Sequence, residues 1–194
     1  MTQREEFIAI YTQHIHREGA DALLNWMDTH TDFFTAPAST RYHGACEGGL
    51  CMHSLNVYHA LHDTFYSEGE SEESFALCAL LHDLCKANYY KLGTRNVKNE
   101  ETGRWEKVPS YSVDDRFPYG HGEKSVYLIQ KFVRLKTEEA IAIRWHMGGF
   151  DEAVMGGCRA QGEAYDRYPL AVKLHIADLM ATYLMEHGTS AVPH

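Results

Sequence analysis

The chain lacks most of the features that would assign it to a class at a glance. Its five cysteines (Cys46, Cys51, Cys78, Cys85 and Cys158) form no CxxC pair, and Cys78 and Cys85 fall in apolar helical runs where free cysteine acts as a small hydrophobe. This predicts a reduced, cytoplasmic protein with no disulfide framework. Basic residues are in deficit: 18 Lys and Arg against 27 Asp and Glu give a net charge of −9. That balance argues against a protein gripping long nucleic acid through a basic surface, although a local groove stays open. The opening segment from Met1 to Glu6 is charged and no cleavable apolar stretch follows, so no signal peptide is expected. No apolar run is long enough to cross a bilayer, so no membrane partner is expected either. With no internal repeat, low-complexity tract or dividing linker, residues 1–194 read as one domain.

What the chain has is a helical pattern and an excess of histidine. It is 44% hydrophobic and 23% charged, with 13 histidines, a number that in an acidic protein leans towards metal. Periodicity and break residues predict helices from about Arg4 to His16, Ala20 to His30, Gly48/Gly49 to Ser67 and Glu72 to Lys86. Further helices are expected from Gly122 to Leu135, from Thr137 (read as an N-cap) to His146, and from Pro169 to His187. Between Asn88 and Tyr111 the character changes. Two aromatic and basic runs flank the polar turn Asn99 to Gly103, which predicts one β-hairpin at about residues 89–111. The fold class is therefore mostly all-α.

The chemistry is concentrated in His82-Asp83, at the end of the apolar run Phe75 to Leu81. An imidazole and a carboxylate carried into a buried helix end are costly unless something compensates them, and a divalent cation does so. Other inward polar residues fit the same cation. His53 shares a helix face with Leu50, Val57 and Leu61; alone it would read as a core histidine bonded to a carbonyl. Asp178 lies in an apolar helix, with Lys173 as the one nearby cation at helical spacing, and Lys173 is expected to face water. His121 stands just before a helix and His146 ends one. An N-cap role for the first and a helix-dipole role for the second are the plain readings, and ligation is the favoured one. His59 and His62 fall off the His53 face and read as surface residues; His175 is set aside as a residue behind the ligands.

The order His53, His82-Asp83, Asp178 resembles the signature of the HD superfamily of metal-dependent phosphohydrolases. Gly48-Gly49-Leu50 followed by His53-Ser54-Leu55 resembles the segment that carries the superfamily's first histidine, and His82-Asp83 with Lys86 resembles its His-Asp-x-x-Lys. The resemblance covers residues 40 to 185. It implies an HD-domain helical bundle at 40–187, preceded by N-terminal helices at 1–39. The six positions His53, His82, Asp83, His121, His146 and Asp178 resemble the ligand order of binuclear HD-GYP phosphodiesterases. The first-histidine segment is similar to that of bacterial 3′-to-5′ exoribonucleases that also carry an OB-fold. The chain has neither the Gly-Tyr-Pro motif of the former nor the N-terminal OB-fold of the latter.

The resemblance implies one or two divalent ions (Mn, Fe, Co, Ni, Zn or Mg) that lower the pKa of a water from about 15.7 towards ~7 for attack on phosphorus. Asp83 is then the natural bridge between two ions. Lys86 is placed to steady charge on a phosphate oxygen, or simply to meet the helix dipole. In the hairpin, Lys91 and Arg95 beside Tyr89, Tyr90 and Trp105 suit phosphate and base, or else a hairpin packed by its own aromatics. The expected substrate is a small phosphorylated molecule, a nucleotide, with short RNA or DNA as an option. Phosphodiester cleavage leads; a 5′-nucleotidase is the alternative within the enzyme class, and a non-catalytic nucleotide-binding HD scaffold the alternative outside it.

Overall fold

Thr2 opens the first helix by accepting the Glu5 N–H, while the Glu5 carboxylate accepts the Thr2 N–H, a reciprocal cap. A computed structural model, which describes residues 1–40, 44–100 and 102–186, shows how the elements follow from there. Helix α1 (Gln3–His14) buries Phe7 and Tyr11, one turn apart, against Phe33 and its neighbours. Helix α2 spans Ala20–His30 and α3 spans Gly49–Phe65. Ser71 caps α4 (Glu72–Leu81), whose residues Ser74 to Leu81 are all buried. A helix apolar on every side must be surrounded, and α4 packs against α1, α3 and α6.

After the hairpin of β1 (Tyr90–Lys98) and β2 (Trp105–Val113) come α5 (His121–Gln130) and α6 (Thr137–Trp145). Helices α7 (Glu152–Met155), α8 (Ala160–Arg167) and α9 (Pro169–Met180) complete the series. Helix α9 lies against α3 and α6 through Leu170, Ala171, Leu174 and Ala177. One apolar cluster runs through the described residues from Phe7 to Ala181. The mostly helical architecture with a single two-stranded antiparallel sheet is the one expected, and the hairpin pairs Tyr90 with Val113 and Lys98 with Trp105.

Several boundaries differ from expectation, two of them for a local reason the structure shows. The helix expected to reach Lys86 ends at Leu81, followed by a 3₁₀ turn at Leu84–Lys86. The buried His82 ring bonds the Ala79 carbonyl at 2.8 Å, the acceptor that the N–H of residue 83 would use in a continued α-helix. Helix α5 stops at Gln130 rather than near Leu135. Thr137 is the first helical residue rather than the cap, because the Glu139 carboxylate accepts the Lys136 N–H at 2.7 Å and fixes the start one residue earlier. Two short helices, α7 and α8, form where the sequence shows no clear apolar period. Helix α9 gives way to a π-turn at Ala181–Met185. The expected end at His187 lies outside the described residues.

Candidate metal centre

Four separate pieces of chain deliver the site. Helix α3 carries His53, with Leu50, Val57 and Leu61 fully buried on the same face. The end of α4 delivers His82 and Asp83, α9 delivers Asp178, and the meeting of α5 with α6 delivers His121 and His146. This last approach is close. A Cβ at Gly122 would lie 2.3 Å from the Arg144 carbonyl oxygen, so only glycine lets the start of α5 rest on the end of α6. Gly148, with φ +57°, closes the other side: a side chain there would run into the His175 ring. His175 in turn lies 2.7 Å, through Nδ1, from the His146 carbonyl oxygen.

All six predicted ligands come together. His53, His82 and Asp83 bring ligand atoms within 4.8 Å of one another; so do His82, His146 and Asp178, and so do Asp83, His121 and His146. The two oxygens of Asp83 divide the histidines between them. Oδ1 lies 2.7 Å from His121 Nε2 and 3.4 Å from His146 Nε2. Oδ2 lies 3.5 Å from His82 Nε2 and 3.7 Å from His53 Nε2. Asp178 Oδ1 is 3.1 Å from His53 Nε2.

The rings are held from behind. His82 Nδ1 faces the Ala79 carbonyl and His146 Nδ1 faces the Ile143 carbonyl at 2.7 Å. A carbonyl accepts only, so both Nδ1 atoms carry the proton, and in the neutral ring the lone pair is then on Nε2, which is aimed at the centre. His146 Nε2 is buried and has no hydrogen-bond partner among the described residues. His53 is held differently, its Nδ1 donating to Glu186 Oε1 at 3.0 Å, where Asn56 also donates at 3.0 Å.

Charge follows geometry. Burial would raise the Asp83 carboxyl, but the Lys86 ammonium, 2.6 Å away, together with His82 and His121 holds it well below the usual carboxylate range. Burial acts likewise on Asp178, and the His53 hydrogen bond outweighs it, so this group too stays ionised. Burial pushes His82 down to about 3, against the pull of Asp83, which keeps the ring neutral. His53 resists burial through its bonds to Asp178 and Glu186 and is pushed up to about 10. Burial disfavours charge on His121 as well, but Cys85 and Asp83 push it up to about 10. Two ionised carboxylates, two rings with inward lone pairs and two further rings protonated beside carboxylates form a set that divalent ions fit, with protons as the group to be displaced.

The other candidates lie as follows. Lys86 borders both Asp83 and an adjoining cleft. Lys91 and Arg95 do not line that cleft; β1 carries them out along the hairpin, and Tyr89 and Asp115, flanking the two strands, line it instead. His59 and His62 stand apart from the centre, paired with Glu6 and Glu72. Lys173, expected to face water, is partly buried and pairs with Glu70. Two neighbours were not legible beforehand. Cys85 is no mere filler, its Sγ lying 3.4 Å from His121 Nδ1. Glu186 lies eight residues beyond Asp178, about 80° round an α-helix, and the wider i→i+5 turn carries it back to the Asp178 side.

No family model, curated protein or solved structure matches the chain. Among the described residues, no helix is long and apolar enough to cross a membrane.

Proposed function

We propose that the chain is an HD-superfamily phosphohydrolase that uses one or two divalent ions to cleave a phosphate ester of a nucleotide or short oligonucleotide, with phosphodiesters ahead of monoesters. The observation that carries the reading is the division of Asp83. One oxygen faces His121 and His146 and the other faces His53 and His82, as a carboxylate shared between two ions requires. His53, His82 and Asp178 with one oxygen, and His121 and His146 with the other, are the residues that would hold the ions. Bound there, divalent ions supply Lewis acidity that activates a water and neutralises phosphate oxygens.

The chain's own residues do the rest. The Ala79 and Ile143 carbonyls keep His82 and His146 in the tautomer that ligates. Glu186 keeps His53 turned towards Asp178 and Asp83. Lys86, at the border between centre and cleft, steadies negative charge on the phosphate as it develops. Burial of the centre excludes bulk water and strengthens each of these interactions.

The test is turnover of bis(p-nitrophenyl) phosphate, p-nitrophenyl phosphate, 5′-nucleotides, cyclic dinucleotides and short RNA by protein loaded with Mn(II), Co(II), Ni(II) or anaerobic Fe(II). Metal-dependent hydrolysis that Asp83→Ala abolishes is the expected result. Protein that binds metal and nucleotide yet turns over none of these would replace the enzyme reading with that of a binding scaffold.

A further inference from the structure

The cleft that meets the centre at Lys86 and His121 encloses about 600 Å³, room for a nucleotide-sized molecule. Its cations are already engaged. Lys86 faces Asp83 at 2.6 Å, Lys124 faces Asp115 at 2.7 Å, and Arg144 reaches Asp151 at 2.7 Å and Glu123 at 2.5 Å. Lys124 is 7% exposed, and its ammonium lies 5.0 Å from the Tyr89 ring centroid and 5.8 Å from that of Phe117. It is a neutralised part of the wall rather than a mobile anion receptor. With Glu152 also lining the cleft, three cations stand against four carboxylates outside the metal ligands. Apolar surface completes the wall, with Tyr89, Met147 and an exposed Phe150.

A site for a polyphosphate or a chain of phosphates needs donors that are not already paired. None of the cleft's cations meets that need; among the described ones Lys86 alone borders the centre, beside Asp83, where the phosphate under attack would lie. A second phosphate farther out would meet carboxylates, and like charges brought together reject a ligand more sharply than a lost contact does. A planar ring meets no such penalty against Tyr89 and Phe150.

We infer that the cleft takes a phosphate ester carrying one phosphate and a planar ring, a nucleoside monophosphate ester, and that the Lys124–Asp115 and Arg144–Asp151–Glu123 groups, with Glu152, exclude a second phosphate. This rests on the reading above in placing the phosphate at the histidine–aspartate centre, and it narrows that reading by setting short oligonucleotides aside.

Calorimetric binding to Mn(II)-loaded protein tests it, with thymidine 5′-monophosphate methyl ester, thymidine 3′,5′-bisphosphate and dimethyl phosphate as probes. The methyl ester should bind at least tenfold more tightly than either of the others. Asp115→Asn, which releases Lys124, and Glu152→Gln, at an exposed position, should each narrow the gap to the bisphosphate by threefold or more. Glu152→Gln keeps the test alive if Asp115→Asn does not fold. Equal or tighter binding of the bisphosphate, an unchanged gap in the folded variants, or no binding of the methyl ester would overturn the inference. Hydrolysis without this discrimination would sink the inference and leave the phosphohydrolase reading standing. Discrimination without hydrolysis of any substrate would do the reverse.

Discussion

Glu186 offers the sharpest test of how the centre is held. Its Oε1 accepts from His53 Nδ1 at 3.0 Å, so the ring cannot rotate without losing a buried charge-assisted hydrogen bond. That bond turns Nε2 towards Asp178 and Asp83 and, through the carboxylate charge, makes the ring a stronger donor. Outer partners of this kind are worth about 10–100-fold in metal affinity, or about 1.4–2.8 kcal/mol. Glu186→Gln keeps an acceptor and loses the charge, so it should fall at the lower end of that range. Glu186→Ala removes both and should fall at the upper end. Titration of metal-free protein with Mn(II) gives the affinities, and the visible spectrum of the Co(II) form reports whether the ligand field at His53 has changed. Melting of the metal-free variants separates a local effect from general loss of structure. Variants that bind Mn(II) as wild type does, with an unaltered Co(II) spectrum, would refute the claim that Glu186 positions a ligand.

Metal uptake should also be linked to protons. His53 and His121 are each pushed up to about 10 in the metal-free protein, so a metal at pH 7 must displace protons from both. Affinity should therefore rise with pH between about 6 and 9, with roughly two protons released at full occupancy, as calorimetry in buffers of different ionisation enthalpy would report; uptake without proton release contradicts it. Away from the centre, Arg17 grips the fully buried Glu139 at 2.7 and 2.9 Å. Arg17→Met strands that carboxylate and should cost about 3–5 kcal/mol, whereas adding Glu139→Gln should recover part of the loss. Burial would raise Glu139, but its bonds to Arg17 and Ser74 lower it, so its contribution is present above the unfolded value of about 4.3. The contribution fades as pH falls through the lowered folded value, and urea titrations of wild type at pH 7 and pH 3 would show this as a loss that Glu139→Gln does not share.

The sequence was informative where burial and polarity collide. His53 was legible because the apolar stripe of Leu50, Val57 and Leu61 points it inward, and Asp178 because α9 offers an ionised carboxylate nothing else to meet. The hairpin was legible from its aromatics and polar turn. Glu186 was not, because its placement depends on an i→i+5 turn that no residue between Ala181 and Met185 announces. The positions of Lys91 and Arg95 were not legible either: composition shows that a hairpin is basic and aromatic, but not which way it projects. The partners of the cleft cations, Asp115 for Lys124 and Asp151 for Arg144, lie nine and seven residues away across turns. No single helix or strand spans either pair, so no period along one element relates its members.

One device recurs at the heart of the centre and ties its chemistry to the fold. His82 and His146 each stand one residue past the end of a helix and each bond the carbonyl three residues back. That single bond occupies an acceptor the helix would need in order to continue, fixes the proton on Nδ1 and aims Nε2 at the centre. The two helices therefore end where they do because the side chain just past each one turns back on it. The chain then leaves helical geometry, at once at Asp83 with φ −104° and ψ 20° in one case, and after a further helical residue, Met147, at Gly148 with φ +57° in the other. Asp83 can then present its two oxygens to different histidines, and Gly148 can admit the His175 ring behind His146. A leucine in place of either histidine would keep the helix apolar, but the helix end and the inward-aimed ring nitrogen would vanish together. The expected run of α4 to Lys86 and an inward-facing His82–Asp83 pair were thus in conflict from the start, and the helix stops at Leu81 while the pair turns inward.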